Sequence, residues 1–164
     1  MDGKSLTVKD RTAILSNLDS SGIFVTCGRQ NPNIMVTHWG TLGKLWGRDV
    51  FTLPIRSNKY SYQIVTKTKS FALNVPARDM RREISLCDTI SGFNRNKFEA
   101  LNLHPKRART IEAYILGECG LIVECNVIAM ISPESVAELA AGLPLGETAH
   151  TLFVGEVADV YRLR

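Results

Sequence analysis

The 164 residues carry a net charge of +4, with 45% hydrophobic and 22% charged residues. That balance is globular and long enough for a single domain over residues 1–164 with one buried core, so it excludes extended disorder. The mild basic excess suits an anionic ligand, while the densest basic run, "KRAR" at 106–109, is too short for a nucleic-acid-binding arm.

In chain order, "GIFVTCG" (22–28) is β-branched, closed by glycines, and predicts a strand. "NIMVTHWG" (33–40) predicts a second, with Met35, Thr37 and Trp39 on one face and Ile34, Val36 and His38 on the other. "DVFTLPI" (49–55) puts Phe51, Leu53 and Ile55 on one face, and Pro54 marks an edge or a strand end. A helix is predicted over "SNKYSYQIVTKT" (57–68), with Ser57 as its N-cap. "SFALNV" (70–75) is a strand, "ARDMRREISLC" (77–87) a helix and "NRNKFEAL" (94–101) a short helix. "GLIVECNVIAMI" (120–131) and "HTLFVGEVADVYRL" (150–163) complete six strands, and "SPESVAELAAGL" (132–143) is a helix with Gly142 near its C-terminus. Many strands with few helices predict a barrel or sandwich carrying inserted helices.

Familiar signatures are missing. No G-x-G-x-x-G follows a strand, and there is no P-loop, H-E-x-x-H or G-x-S-x-G. Cysteines 27, 87, 119 and 125 form no C-x-x-C pair, and the histidines complete no zinc pattern. Free thiols in a reducing cytoplasm are expected, with no signal peptide and no membrane span.

Three stretches carry candidate chemistry. In "PIRSNKY" a strand end meets a helix start, whose free N–H groups favour an anion. There Arg56, Ser57 and Lys59 offer a guanidinium, a hydroxyl and an ammonium to a terminal phosphate, or the segment is a capped helix flanked by solvated charges. In "CDTISGFNRNKF" (87–98), Ser91 and Gly92 form a tight turn beside a ligand or an ordinary surface loop, with Arg95 and Lys97 adding charge. Cys87 is a ligand neighbour or a buried thiol. His150, at the mouth of an apolar strand, contacts a redox-active ligand or is half-exposed structure. The glycines at 40 and 43 beside Trp39 and Trp46 raise the prospect of a flat ligand lying against bare backbone.

These pieces, in this order, resemble the flavin reductase-like family with the FMN-binding split barrel, which includes flavoredoxin. The resemblance runs from about Gly22 to Tyr161, on "NIMVTHWGTLGKLWGRDVFTLPIRSNKYSY", "CDTISGFNRNKFEALNL" and "HTLFVGEVADV". It implies a mainly β fold, a six-stranded antiparallel split β-barrel with Greek-key character, and a homodimer. It also implies a site. Met35, Val36, Thr37, His38, Trp39 and Gly40 lie along the flavin ring; Arg56, Ser57, Lys59 and Tyr60 hold the phosphate. Ser91 and Gly92, with Lys97, close over the cofactor; Thr52 and Cys87 complete the cofactor set, and His150 stands near the ring and the nicotinamide. Trp39 walls the pocket, and Trp46 packs at the barrel or the dimer contact. Two departures stand out: His38 occupies a small-residue position, and Ala149 replaces the acidic residue expected before His150.

The implied activity is that of an FMN oxidoreductase, with FAD as a possible flavin, taking hydride from NAD(P)H and passing electrons to an acceptor. An alternative is a flavoredoxin-like carrier reduced by a protein partner. A more remote one is a basic barrel binding nucleic acid, which the 7% aromatic content, not interleaved with basic residues, does little to support.

Overall fold

The computed structural model describes residues 5–139 and 149–164. It opens with a helix absent from the sequence-based expectation, α1 (Val8–Leu18). A capping box starts it: the Thr7 hydroxyl accepts from the Asp10 N–H at 3.2 Å, and the Asp10 carboxylate accepts from the Thr7 N–H at 3.1 Å. Ile14 and Leu18 then bury against the sheet.

All six expected strands form: β1 (Ile23–Cys27), β2 (Asn33–Thr37), β4 (Arg48–Arg56), β5 (Ser70–Pro76), β8 (Cys119–Ile131) and β9 (His150–Arg162). Three more join them: β3 (Thr41–Leu45), which pairs with β4, and the small ribbon of β6 (Pro105–Arg107) and β7 (Tyr114–Leu116). Helices α2 (Tyr60–Thr68), α4 (Lys97–Ala100) and α5 (Pro133–Leu139) fall within predicted segments, while α3 (Arg81–Thr89) starts inside its segment, 77–87, and runs two residues past it. Residues 140–143 of the last segment, Gly142 included, lie outside the described residues.

The main sheet is antiparallel, ordered β2-β1-β5-β8-β9-β4-β3. Its two outer strands, β2 and β3, are joined by only His38, Trp39 and Gly40. Seven strands spaced about 4.8 Å apart would set the outer two roughly 29 Å apart in a flat sheet. Four Cα steps reach at most about 15 Å. The sheet therefore curls until its edges nearly meet, leaving a split between β2 and the β3–β4 hairpin. Register shifts between Glu124 and Cys125 and between Val127 and Ala129 help the long β8–β9 pair to bend.

Alternation assigns the two faces of the rolled sheet. Val25, Phe51, Leu53, Phe71, Val123 and Phe153 fill one core with Ile14 of α1 and Val65 of α2. Phe24, Ile34, Ala72 and Ile122 point the other way, under α3, α4 and the β6–β7 ribbon. Strands covered on both faces explain apolar runs such as "GIFVTC". Pro54 sits where expected: β3 ends opposite Thr52, so beyond it β4 keeps a single neighbour, β9.

Three buried carboxylates tie the periphery to this frame. Asp49 accepts from the Leu6 N–H, Arg11 and Lys44; Asp10 from Thr7 and Arg162; Glu124 from the 109–110 backbone, Thr110 and Tyr161. Burial alone raises each carboxyl's pKa, but these donors outweigh it and hold all three below their ordinary values. A lowered native pKa gives stability that is complete above the ordinary carboxylate range, about pH 4–4.5, and is lost as pH falls through the native values. The thermal midpoint should thus be nearly flat from about pH 7 to 5 and fall steeply below about pH 4. A midpoint at pH 3 equal to that at pH 7 would show that these carboxylates are not linked to folding.

Candidate functional site

A groove runs along the split. Two compartments, of about 270 and 370 Å³, share Met35, Val36 and Lys59 as lining and so adjoin along β2. As an edge strand, β2 has a single strand neighbour, β1, and turns half of its backbone N–H and C=O groups away from it.

The smaller compartment is polar. Asn33 of β2, Asn58 to Ser61 at the start of α2, the end of α3 with its loop to Gly92, and Lys97 line it. Lys59, at the N-cap of α2, makes no side-chain cap bond, so the N–H groups of the first turn remain an anion-favouring end. Lys97 is only 8% exposed. Its ammonium donates to the Cys87 carbonyl at 3.1 Å and stands 3.9 Å from the Cys87 sulfur. Among the described residues it makes no ion pair with a carboxylate within 4 Å. A buried cation in that condition is costly, and a bound anion offsets the cost. Asp88, the one acidic residue on this lining among the described residues, is exposed to solvent.

Burial pushes the Cys87 thiol up to about 11, the nearby Lys97 charge working the other way. It is therefore a neutral wall residue at neutral pH, donating weakly to the Ile34 carbonyl. The other three cysteines are likewise free and buried.

The loop after α3 is seated by contact. Asn94 and Arg95 donate their N–H groups to the Ser91 carbonyl at 3.0 and 3.1 Å, closing the tight turn that the sequence suggested. Gly92 lies so close to Asn33 that a Cβ there would sit 2.3 Å from the Asn33 amide oxygen. Asn33 in turn donates to the Ser61 hydroxyl at 2.9 Å, linking β2, α2 and this loop. Neither Asn33 nor Ser61 was marked by the sequence. Ser61 is legible only as the buried face of α2, three residues before Ile64.

The larger compartment is mostly apolar, with Thr37, His38, Trp39, Pro54, Ile55, Arg56 and His150 along it. The Thr37 hydroxyl donates to the Trp39 carbonyl at 2.6 Å and accepts from the Trp39 N–H at 3.2 Å, folding the chain sharply at the strand end. Trp39, 54% exposed, leans edge-on to His150 with ring centroids 5.5 Å apart. Arg56 and His150 are direct partners in the β4–β9 register, and the Arg56 Nε donates to the His150 Nε2 at 3.3 Å. In that contact the His150 Nε2 is the acceptor.

Several expectations change on this frame. Ser57 is not the N-cap of α2: the helix begins at Tyr60 with Lys59 as its cap, because Ser61, Ile64 and Val65 form the buried stripe. Trp39 does not extend the Met35–Thr37 face, since β2 stops at Thr37. Gly40 has a packing reason for lacking a side chain, as a Cβ there would stand 2.2 Å from the core ring of Phe51. Gly43, on the exposed β3, meets nothing within 4 Å. Trp46 forms the β3–β4 turn with Gly47, at a positive φ of 50° and 76% exposed. Ser57, Thr52 and Gly40 line neither compartment; Met35, Val36, Thr37, His38, Trp39, Arg56, Lys59, Tyr60, Cys87, Ser91, Gly92, Lys97 and His150 line one or both. Arg56 belongs with His150 rather than with the polar cluster around Lys97.

Residues 17–163 match the family model described as the flavin reductase like domain, and the chain belongs to that family. Its fold is a split barrel, shared with solved structures. Flavoredoxin of Desulfovibrio vulgaris (Miyazaki F) superposes with a TM-score of 0.70 at 24% identity, over 86% of this chain and 68% of that one. A split barrel domain protein of Shewanella frigidimarina NCIMB 400 gives 0.70 at 15%, over 97% and 76%. The NADH:FAD oxidoreductase of Streptomyces globisporus gives 0.68 at 17%, over 99% and 89%.

Proposed function

We propose that the groove holds FMN and that the protein is an NAD(P)H-dependent FMN oxidoreductase. The observation that carries this reading is the adjacency of the two compartments along one strand edge. A flat, largely apolar ring with a phosphate at the end of a polar tail matches that sequence of surfaces. When bound, the flavin supplies two-electron chemistry that no side chain here offers.

The chain's own residues then have separable tasks. Lys97, Lys59 and the uncapped start of α2 neutralise the phosphate. The free edge of β2 offers backbone hydrogen bonds to the polar rim of the ring, and Met35 and Val36 give it apolar contact. Trp39, His150 and Arg56 bound the open side, where a nicotinamide would approach. Arg56 holds the His150 imidazole in one orientation, which favours alignment of a hydride donor without proton transfer. The homodimer implied by the resemblance belongs to this proposal; it would cover exposed apolar residues such as Ile128 and Met130, and light scattering giving a monomer mass would remove it.

The test is anaerobic stopped-flow reduction of the FMN-loaded protein by NADH and by NADPH. Hydride transfer predicts flavin bleaching that saturates with nicotinamide concentration. His150→Ala should slow that bleaching about tenfold or more while changing FMN affinity less than threefold, as expected for an orienting group. The opposite pattern would assign His150 to cofactor retention.

A second reading is a flavoredoxin-like electron carrier, favoured by the likeness to the Desulfovibrio protein and by the missing dinucleotide fingerprint. Slow bleaching by both nicotinamides, with fast reduction by a protein donor, would select it.

A further inference from the structure

At the rim of the polar compartment stand two aromatic side chains that phosphate binding does not use. Phe93 is 52% exposed, on the loop between α3 and α4. Its ring meets that of Tyr60, the first residue of α2, with centroids 4.9 Å apart and planes inclined by 52°. Tyr60 itself lines the polar compartment, next to Lys59.

The backbone beneath Phe93 is fixed. Its N–H donates to the Ser91 hydroxyl at 3.3 Å, the next two N–H groups close on the Ser91 carbonyl, and Gly92 is wedged against Asn33. Just beyond, Asn96 caps α4 by accepting from the Phe98 and Glu99 N–H groups. A firmly seated turn thus keeps a large ring half in water. Arg95, in the same turn, is exposed and adds positive charge to this loop.

An aromatic ledge touching a cationic groove is the arrangement that takes a nucleobase whose phosphates lie in the groove: the base stacks, and the charges hold its backbone. We propose that Phe93 and Tyr60 form a stacking platform for the adenine of a dinucleotide, either FAD with its phosphates at Lys59 and Lys97 or a nicotinamide dinucleotide that reaches this rim while FMN holds the groove. This rests on the flavin-groove reading and goes beyond it by assigning a place to the half of FAD, or of the nicotinamide dinucleotide, that FMN lacks. Phe93 is then a specificity residue that separates dinucleotides from mononucleotides.

The experiment compares wild type, Phe93→Ala and Phe93→Trp. It measures the Kd of FMN and FAD by flavin fluorescence, and KM for NADH against reduced nicotinamide mononucleotide, which has no adenine. Removing one stacking partner should weaken the adenine-bearing ligand about tenfold. Phe93→Ala should therefore raise the FAD Kd about tenfold with FMN within twofold if the platform takes the flavin's adenine. It should raise the NADH KM, with the mononucleotide unchanged, if it takes the nicotinamide's. Phe93→Trp should restore wild-type values in either case. Neither ratio moving would overturn the platform, and so would an equal loss of FMN and FAD, which would make Phe93 a fastener of the loop. Failure of wild type to bind FMN or FAD would instead overturn the groove reading, and the platform with it.

Discussion

Lys97→Met should weaken FMN binding about 10- to 100-fold while leaving the thermal midpoint unchanged or higher. A charge-assisted hydrogen bond is worth about 1.5–3 kcal/mol, which sets the size of the loss. The second half follows from burial. In the protein without ligand, the Lys97 ammonium is almost fully removed from water, and its described contacts are a carbonyl and a thiol. Replacing a buried, poorly compensated charge with an apolar chain of similar length is neutral or stabilising in such settings. A lysine kept there at a cost to the fold is explained by an anion, and only a ligand-bound state recovers the cost. Unchanged FMN affinity would remove Lys97 from the phosphate end. A large fall in midpoint would make it a structural residue.

Glu124→Ala should destabilise the fold by about 3–5 kcal/mol, read as a lower urea midpoint. Glu124 is fully buried on β8 and accepts from the Arg109 and Thr110 N–H groups at 2.7 Å each. It also accepts from the Thr110 and Tyr161 hydroxyls at 2.6 Å each. Truncation leaves this set of donors without their acceptor and releases the loop at 109–110 from the sheet. The loop also loses its brace on β9, where the Arg109 guanidinium lies 3.6 Å from the centre of the Tyr161 ring. Glu124→Gln should cost less, because one oxygen still accepts while the amide opposes the remaining donors. A loss below about 1 kcal/mol for the alanine variant would show that water replaces the carboxylate. Since this cluster lies on neither groove compartment, FMN affinity of the folded fraction should not change.

Strands with strict alternation were legible because each side chain's face is set two residues at a time. Phe51, Leu53 and Ile55 reach the core as read, and Pro54 reveals the edge of β4. Strand β3 was hidden because "TLGKL" offers one large apolar residue on each side of Gly43 and has no fully buried residue, so its partner β4 rather than its own pattern makes it a strand. Helix α1 was hidden for a related reason. Its capping box uses Asp10 in place of the more usual Glu or Gln, and its apolar stripe is narrow.

The site divides in the same way. The anion-favouring start of α2 and the turn at Ser91 come from local chemistry and could be read locally, although the buried stripe of α2, not Ser57, decides where the helix begins. The meeting of Arg56 with His150 comes from the pairing of β4 with β9, across 94 positions of sequence, and no local pattern encodes it. The burial of Lys97 was equally invisible: its charge was plain, but its enclosure depends on α3 and α4 packing over β2.

The most direct test of the central claim is an FMN titration of the purified protein, followed by flavin fluorescence and visible absorbance, beside Lys97→Met under the same conditions. The account predicts saturable binding at one site per chain, weakened about 10- to 100-fold in the variant. Folded protein that leaves FMN fluorescence and absorbance unchanged at low salt would contradict it.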